Sequence, residues 1–249
     1  MLDFTRKLSA ESAIRFGARR IIKGDNPITL TLRSGERFEL RSERTAENNR
    51  DYGVAYEIFV ERFYDDGGYL VPDHVLNIVD LGANIGLSLL YFLHRYPSCH
   101  IIAYEPHPGL AAQAERNLLL DGTRNRVELH VKAAGAATRP MYLTNSGMGS
   151  SLTATESSAT VAIEIEDIFP RLLGRRIDIL KMDIEGGEYE IVDDYRFEQL
   201  NINNIVMEWH SRGGKVNDKL WCEGKLQNLG FNISTIFENC DCGMFWARK

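Results

Sequence analysis

The chain has no apolar run approaching the roughly 20 residues that a bilayer crossing needs. Its first 22 residues carry arginines but no signal-type apolar stretch, and Asp3 and Glu11 sit badly with a transit peptide. A cytoplasmic location with no membrane partner is therefore expected. Cysteine is scarce: Cys99, Cys222, Cys240 and Cys242 fall in no zinc-binding spacing. Reduced thiols are the default in that compartment, with Cys240 and Cys242 sharing one face of a terminal strand or turn. The 7 prolines and 21 glycines do not make a collagen-like or low-complexity chain. No repeat of solenoid period occurs, and no Gly/Ser-rich linker divides the chain. An excess of basic residues is missing too. Lys plus Arg is 29 against 35 Asp plus Glu, a net charge of −6, which lacks the global field of a nucleic-acid binder. What is present is ordinary globular composition, 44% apolar over 249 residues, enough for a core without disulfide or metal staples.

Residues 9–22 place Ala10, Ala13, Ile14, Gly17, Ala18 and Ile21 at helical spacing and predict a helix docked on the domain. Ile28, Leu30 and Leu32, then Phe38 and Leu40 after a Ser34-Gly35 turn, predict a β-hairpin. A helix follows over Tyr52–Tyr64, stopped at Asp65-Asp66-Gly67-Gly68. Residues 1–70 thus read as an extension of helix, hairpin and helix packing on a core of residues 71–249. In that core strands alternate with helices: strands at Leu76–Leu81, His100–Tyr104, Val127–Val131, Ile177–Ile184 and Ile202–Trp209, and helices at Ile85–Tyr96, Leu110–Leu120, Tyr189–Tyr195 and Lys219–Leu229. Short strands at Met141–Leu143 and Val161–Ile165 flank a polar loop, 145–151, and Phe231–Phe237 with Met244–Ala247 forms a closing pair. This alternation predicts an α/β fold with a mostly parallel sheet and helices on both faces. Ligands in such sheets bind beyond the carboxyl ends of the strands.

The first core strand ends Asp80-Leu81-Gly82-Ala83-Asn84-Ile85-Gly86. Gly82 and Gly86 remove side chains where a ligand approaches backbone, and Asn84 tolerates positive φ. Free amides at the helix start favour a ligand carboxylate, while Asp80 suits an ammonium group. The dinucleotide pattern G-x-G-x-x-G is missing. A nucleoside with an amino-acid tail and no phosphate, S-adenosylmethionine, fits these features. Glu105, in Tyr104-Glu105-Pro106, ends the second strand, and its two oxygens suit the two ribose hydroxyls.

Two further strand ends carry charge. In Lys181-Met182-Asp183-Ile184-Glu185-Gly186, strand period puts Lys181, Asp183 and Glu185 on one face; Glu208 and His210 share a face of the next strand. Their convergence would serve proton removal from a hydroxyl. A divalent cation on Asp183, Glu208 and His210 is compatible with the same cluster but is not expected.

Val79–Gly86, Tyr104-Glu105-Pro106 and Lys181–Gly186, in this order, resemble the FkbM family of S-adenosylmethionine-dependent methyltransferases. The likeness runs from Asp51 to His210 and takes in Gly68-Tyr69, Asn117 and Ser150-Ser151-Leu152. It implies the class I methyltransferase fold, Rossmann-like, a seven-stranded sheet with its last strand antiparallel. It further implies that Asp80, Gly82, Asn84 and Gly86 contact the methionine part, Glu105 and Pro106 the ribose region, and Ala133 and Ala134 the adenine. Asp183 would face the methyl group, and Asp51 and Tyr69 would close the site. Such enzymes act mostly on hydroxyls of sugars, polyketides or other secondary metabolites, so the expected partner is a small-molecule hydroxyl acceptor; a homodimer is compatible with this. Two alternatives stay open on the residues alone: a dehydrogenase of similar topology, and a non-catalytic module that has kept the fold.

Overall fold

The computed structural model describes residues 2–22, 27–41, 51–144, 152–153, 157, 160–211 and 218–249. Seven strands make the main sheet: β3 (Asn77–Leu81), β4 (His100–Tyr104), β5 (Val127–His130), β10 (Arg176–Met182), β11 (Asn201–His210), β12 (Asn232–Glu238) and β13 (Cys242–Arg248). Their spatial order is β12-β13-β11-β10-β3-β4-β5. β3, β4, β5, β10 and β11 pair in parallel, and β13 runs antiparallel to both of its neighbours. Strand order thus reverses between β3 and β10, and the carboxyl ends of those two strands are where a cleft is expected.

Alternation along each strand divides the core. Ile78, Ile101, Ile179 and Val206 face one cluster with α4 (Leu87–Arg95) and α5 (Pro108–Asp121). Val79, Leu81, Leu180, Met182, Ile205 and Met207 face the other, with α6 (Phe169–Leu172), α7 (Glu188–Asp193) and α8 (Asp218–Asn228). Helices therefore cover both faces, as the strand pattern requires.

The first cluster also takes in the leading segment. α1 (Leu2–Lys7), too short to leave a periodic trace in the sequence, precedes α2 (Ala10–Ile22), and β1 (Ile28–Thr31) pairs antiparallel with β2 (Arg37–Leu40) as the hairpin pattern indicates. Phe4, Leu8, Leu30 and Phe38 are buried in one core with Phe59, Leu90 and Tyr91. The helix expected over Tyr52–Tyr64 is instead α3 (Asp51–Tyr56) running into a π-helical turn, Glu57–Glu61, that ends at Arg62 with φ of 61°. Extra residues per turn re-aim side chains, and such turns concentrate at functional sites.

A second sheet joins the short strands expected at Met141–Leu143 and Val161–Ile165 to two that the sequence did not mark. β6 (Ala133–Gly135), β7 (Arg139–Thr144), β8 (Leu152–Thr153) and β9 (Thr160–Asp167) form it in the order β6-β9-β7-β8. β6 and β8, of three and two residues, are too short to carry an alternation signal, and the pairing of the four strands is a tertiary matter. The polar loop 145–151 lies outside the described residues, apart from its neighbours in β7 and β8. No helix among the described residues is long and apolar enough to cross a membrane. No disulfide joins the four cysteines, of which Cys99 and Cys222 lie in the core.

Candidate active site

The turn after β3 is held from beneath. Asp80 is fully buried; Oδ2 accepts from Ser88 Oγ at 2.6 Å, and Oδ1 lies 3.1 Å from Lys181 Nζ. Lys181 pairs in register with Asp80 across β10 and β3, is itself buried, and donates to the Gly82 carbonyl at 2.5 Å. Its ammonium is pushed above the ordinary lysine range: burial opposes the charge, but Asp80, Tyr64 and Asp183 more than offset it. Asp80 therefore supports the loop instead of meeting a ligand ammonium directly.

The loop amides differ from expectation in the same way. Gly82 and Ala83 both donate to the Tyr104 carbonyl, at 3.0 and 2.9 Å, and Gly86 to Ala83. Asn84 donates to Glu105 Oε2 and Ile85 to Asn84 Oδ1, each at 2.8 Å. These amides are spent within the protein, so they offer no cradle for a carboxylate. Asn84 has the anticipated positive φ, 52°. Both glycines serve close packing. A Cβ on Gly82, at φ 96°, would stand 1.9 Å from the Asp183 carbonyl oxygen, and one on Gly86 3.0 Å from Ala114. Gly82→Ala should cost at least about 3 kcal/mol, strain and overlap together. Gly122→Ala, at φ 82° in open space, should cost only about 1 kcal/mol. Urea denaturation of the two variants compares them directly, and equal losses would refute the close-packing argument.

Asn117, buried in α5, ties this loop to the hairpin: Nδ2 donates to the Ile85 carbonyl and Oδ1 accepts from Glu39 N, both at 2.8 Å. Above the loop lies a cleft of about 760 Å³, lined by Gly82, Asn84, Glu105, Pro106, Ala133, Ala134 and Asp183 among others. Seven predicted site residues thus share one wall system. Leu110 and Leu143 also line it. Leu143 falls in the short strand expected at Met141–Leu143, but its place on the cleft follows from the pairing of that strand in the second sheet. Glu105 is buried, its oxygens accepting from the Asn84 and His107 amides at 2.8 Å. Burial outweighs these two donors and lifts its carboxyl to about 7.

Two expected contacts lie elsewhere. Tyr69 is exposed, its hydroxyl donating to the Lys249 carbonyl at 3.3 Å. Lys249 pairs with Asn203 at the amino-terminal end of β11, opposite the cleft, so Tyr69 closes nothing there. Asp51 is buried and ion-paired with Arg41 at 2.6 Å; it starts α3 and lines neither cavity at this end.

A second cavity, about 430 Å³, adjoins the first and shares Gly82, Asn84 and Asp183 with it. Its other walls include Ile58, Phe63 and Tyr64 from the leading segment, Met244 from β13, and Glu208. Asp183 sits 3.7 Å from Lys181 Nζ. His210 Nε2 is 3.6 Å from both Glu185 and Glu208, and Nδ1 is 3.8 Å from Glu188. Glu188, fully buried, accepts from the Ile184 and Gly186 amides at 2.7 and 2.8 Å and so closes the loop after β10. Glu185 sits in that loop at φ 56°, a strained value for a residue with a Cβ. Burial and then the Asp183 charge lift the Glu208 carboxyl to about 8. His210 is pushed up to about 9: burial opposes its charge, but Glu188, Asp183 and Glu208 prevail. Asp183, Glu185 and His210 bring one ligand atom each within 4.8 Å, a set that replaces the expected Glu208 by Glu185. Ion pairing accounts for this cluster, and no cation enters the reading.

Seven strands in this order, one reversed, with a cleft across the carboxyl ends of β3, β4 and β10, define a class I methyltransferase fold. Residues 80–240 match the Methyltransferase FkbM domain, and the chain belongs to that family. Methyltransferase sdnD of Sordaria araneosa is 29% identical over 218 residues, covering 72% of this chain and 81% of that protein. Methyltransferase 1 of Beauveria bassiana (strain ARSEF 2860) is 29% identical over 199 residues, 68% of this chain and 78% of that one. The crystal structure of Methyltransferase FkbM from Methylobacillus flagellatus KT matches with a TM-score of 0.54 at 17% identity, over 78% of this chain. This chain spans 48% of that structure, a likeness of fold. The chain is therefore a methyltransferase, and the dehydrogenase alternative falls.

Proposed function

We propose that the protein transfers a methyl group from S-adenosylmethionine to a hydroxyl of a small molecule. The observation carrying this reading is Asp183, which stands on the wall common to two adjoining cavities. The cleft suits the cofactor by its chemistry: Leu110, Ala133, Ala134 and Leu143 offer an apolar slot for adenine, and Glu105 presents a carboxylate for a vicinal diol. Gly82 and Asn84 would then line the amino-acid end and Asp183 would face the methyl, with Asp80 and Gly86 keeping the loop in place. When bound, the cofactor supplies a methyl already activated by its sulfonium.

The residues of this chain have the remaining tasks. They align the acceptor oxygen with the methyl, exclude water and receive a proton. As the new O–C bond forms, the C–S electron pair stays on sulfur and the hydroxyl proton passes to the Asp183 carboxylate. Glu208, at about 8, is mostly protonated at neutral pH and leaves that proton to Asp183. His210, at about 9, is cationic at neutral pH and balances the carboxylates; it is not the proton acceptor. Calorimetric titration should show S-adenosylmethionine binding and no NAD binding. Incubation of a metabolite extract with methyl-labelled cofactor should then yield a labelled ether. Labelled amine as the sole product would refute the oxygen assignment, and absence of cofactor binding would refute the whole reading.

A further inference from the structure

Tyr64, just past the π-helical turn, is a wall of the second cavity. The core grips its ring, with the Tyr91 and Phe92 ring centroids 6.2 and 5.5 Å away, and the residue is only 5% exposed. Its hydroxyl has no hydrogen-bond partner among the described residues. Buried phenols ordinarily have one: Tyr96, Tyr104 and Tyr189 donate to fixed acceptors at 3.1, 3.0 and 2.6 Å. Tyr91 lacks one too, but it lines neither cavity of the site. The titratable groups that act on the Tyr64 hydroxyl are Lys181, Asp183, Asp80 and Glu208. Of these, Lys181, Asp183 and Glu208 line the second cavity, so the polar tip of Tyr64 lies on the cavity side. Burial pushes ionisation of the phenol above its ordinary range; Lys181 pulls against this and Asp183 adds to it. The group is therefore a donor at neutral pH, with nothing in the protein to receive its proton.

We propose that Tyr64 binds the reacting atom of the acceptor and makes the site select an alcohol oxygen over an amine nitrogen. The proposal rests on the methyltransferase reading above, with the second cavity taking the acceptor. An alcohol oxygen carries one proton and two lone pairs. Its proton points to Asp183, one lone pair accepts from Tyr64 Oη, and the other faces the methyl. As the O–C bond forms, the C–S pair stays on sulfur, the alcohol proton passes to Asp183, and Tyr64 keeps its own. A neutral amine nitrogen has a single lone pair. Given to Tyr64, that pair cannot attack; given to the methyl, it leaves a buried hydroxyl unsatisfied. A site with a polar group left unpaired by the wrong substrate discriminates strongly against it.

Tyr64→Phe keeps the ring and removes only the hydroxyl. Incubated with the metabolite extract and methyl-labelled S-adenosylmethionine, it should lower the ratio of labelled ether to labelled amine at least about fivefold from the wild-type value. Its affinity for S-adenosylhomocysteine, measured by calorimetry, should be unchanged, since Tyr64 lies outside the cofactor cleft. A direct readout comes from protein carrying 3-fluorotyrosine, with the Tyr64 fluorine signal assigned from Tyr64→Phe and titrations run with and without S-adenosylhomocysteine. Cyclohexanol should shift that signal at concentrations at least about threefold below those of chlorocyclohexane, which is similar in size but accepts hydrogen bonds poorly. An unchanged product ratio, equal response to the two compounds, no response to either, or weakened S-adenosylhomocysteine binding in Tyr64→Phe would each overturn the proposal. Failure of the wild-type protein to bind S-adenosylhomocysteine would instead count against the cofactor assignment and leave the fluorine comparison standing.

Discussion

Asp183→Asn should lower methyl-transfer turnover by about 10²–10⁴-fold, the usual contribution of a positioned proton acceptor. The amide keeps the shape of the side chain and removes only its basicity. Cofactor affinity should move by no more than a few-fold, because the Gly82 loop is held by Lys181, Asp80 and Ser88 whatever the charge on Asp183. Single-turnover measurement at saturating cofactor isolates the chemical step. Full turnover in the variant would remove Asp183 from the reaction.

Glu105→Gln acts on the other half of the reaction. Hydrogen bonds to a charged group contribute about 1.5–3 kcal/mol, so cofactor affinity should fall by roughly 10–100-fold. The pH dependence is a sharper signature. Burial lifts Glu105 to about 7, above its unfolded value, so its contribution to fold stability is complete below about pH 4.5 and is lost as the pH rises through 7. Ribose hydroxyls donate to the ionised form, and binding therefore favours loss of the proton. Wild-type affinity should rise between pH 6 and 8, with proton release detectable in buffers of different ionisation enthalpy. The variant should show neither. A wild-type affinity that falls over this range would contradict the assignment.

The main sheet was legible because its strands are short, apolar and separated by helices with clear stops, such as Pro97 after α4 and Gly122 after α5. The charged ends of β10 and β11 were legible too, since period two places Lys181 with Asp183 and Glu208 with His210. Sequence could not say which of these charges face a cavity and which face each other. Asp80 and Lys181 satisfy one another inside the sheet, a pairing set by cross-strand register and not by spacing along the chain. Likewise the loop amides were expected to be free, and it took the position of the Tyr104 carbonyl to show that they are occupied. Tyr69 was placed by likeness alone, and the Lys249 carbonyl draws it to the far end of the sheet. In the second sheet β7 and β9 were expected as strands, whereas β6 and β8 escaped notice because three and two residues are too few to show alternation; that Leu143 lines the cleft is set by the pairing of β7 with β9.

The stretch from Asp51 to Tyr64 both lines the second cavity and fills the main core beside Phe4, Phe38 and Tyr91. Cavity wall and core are thus written in the same 14-residue stretch. A chimera that borrows another enzyme's leading half to change what is methylated would have to import matching partners on α4 as well, because the two halves are not interchangeable parts.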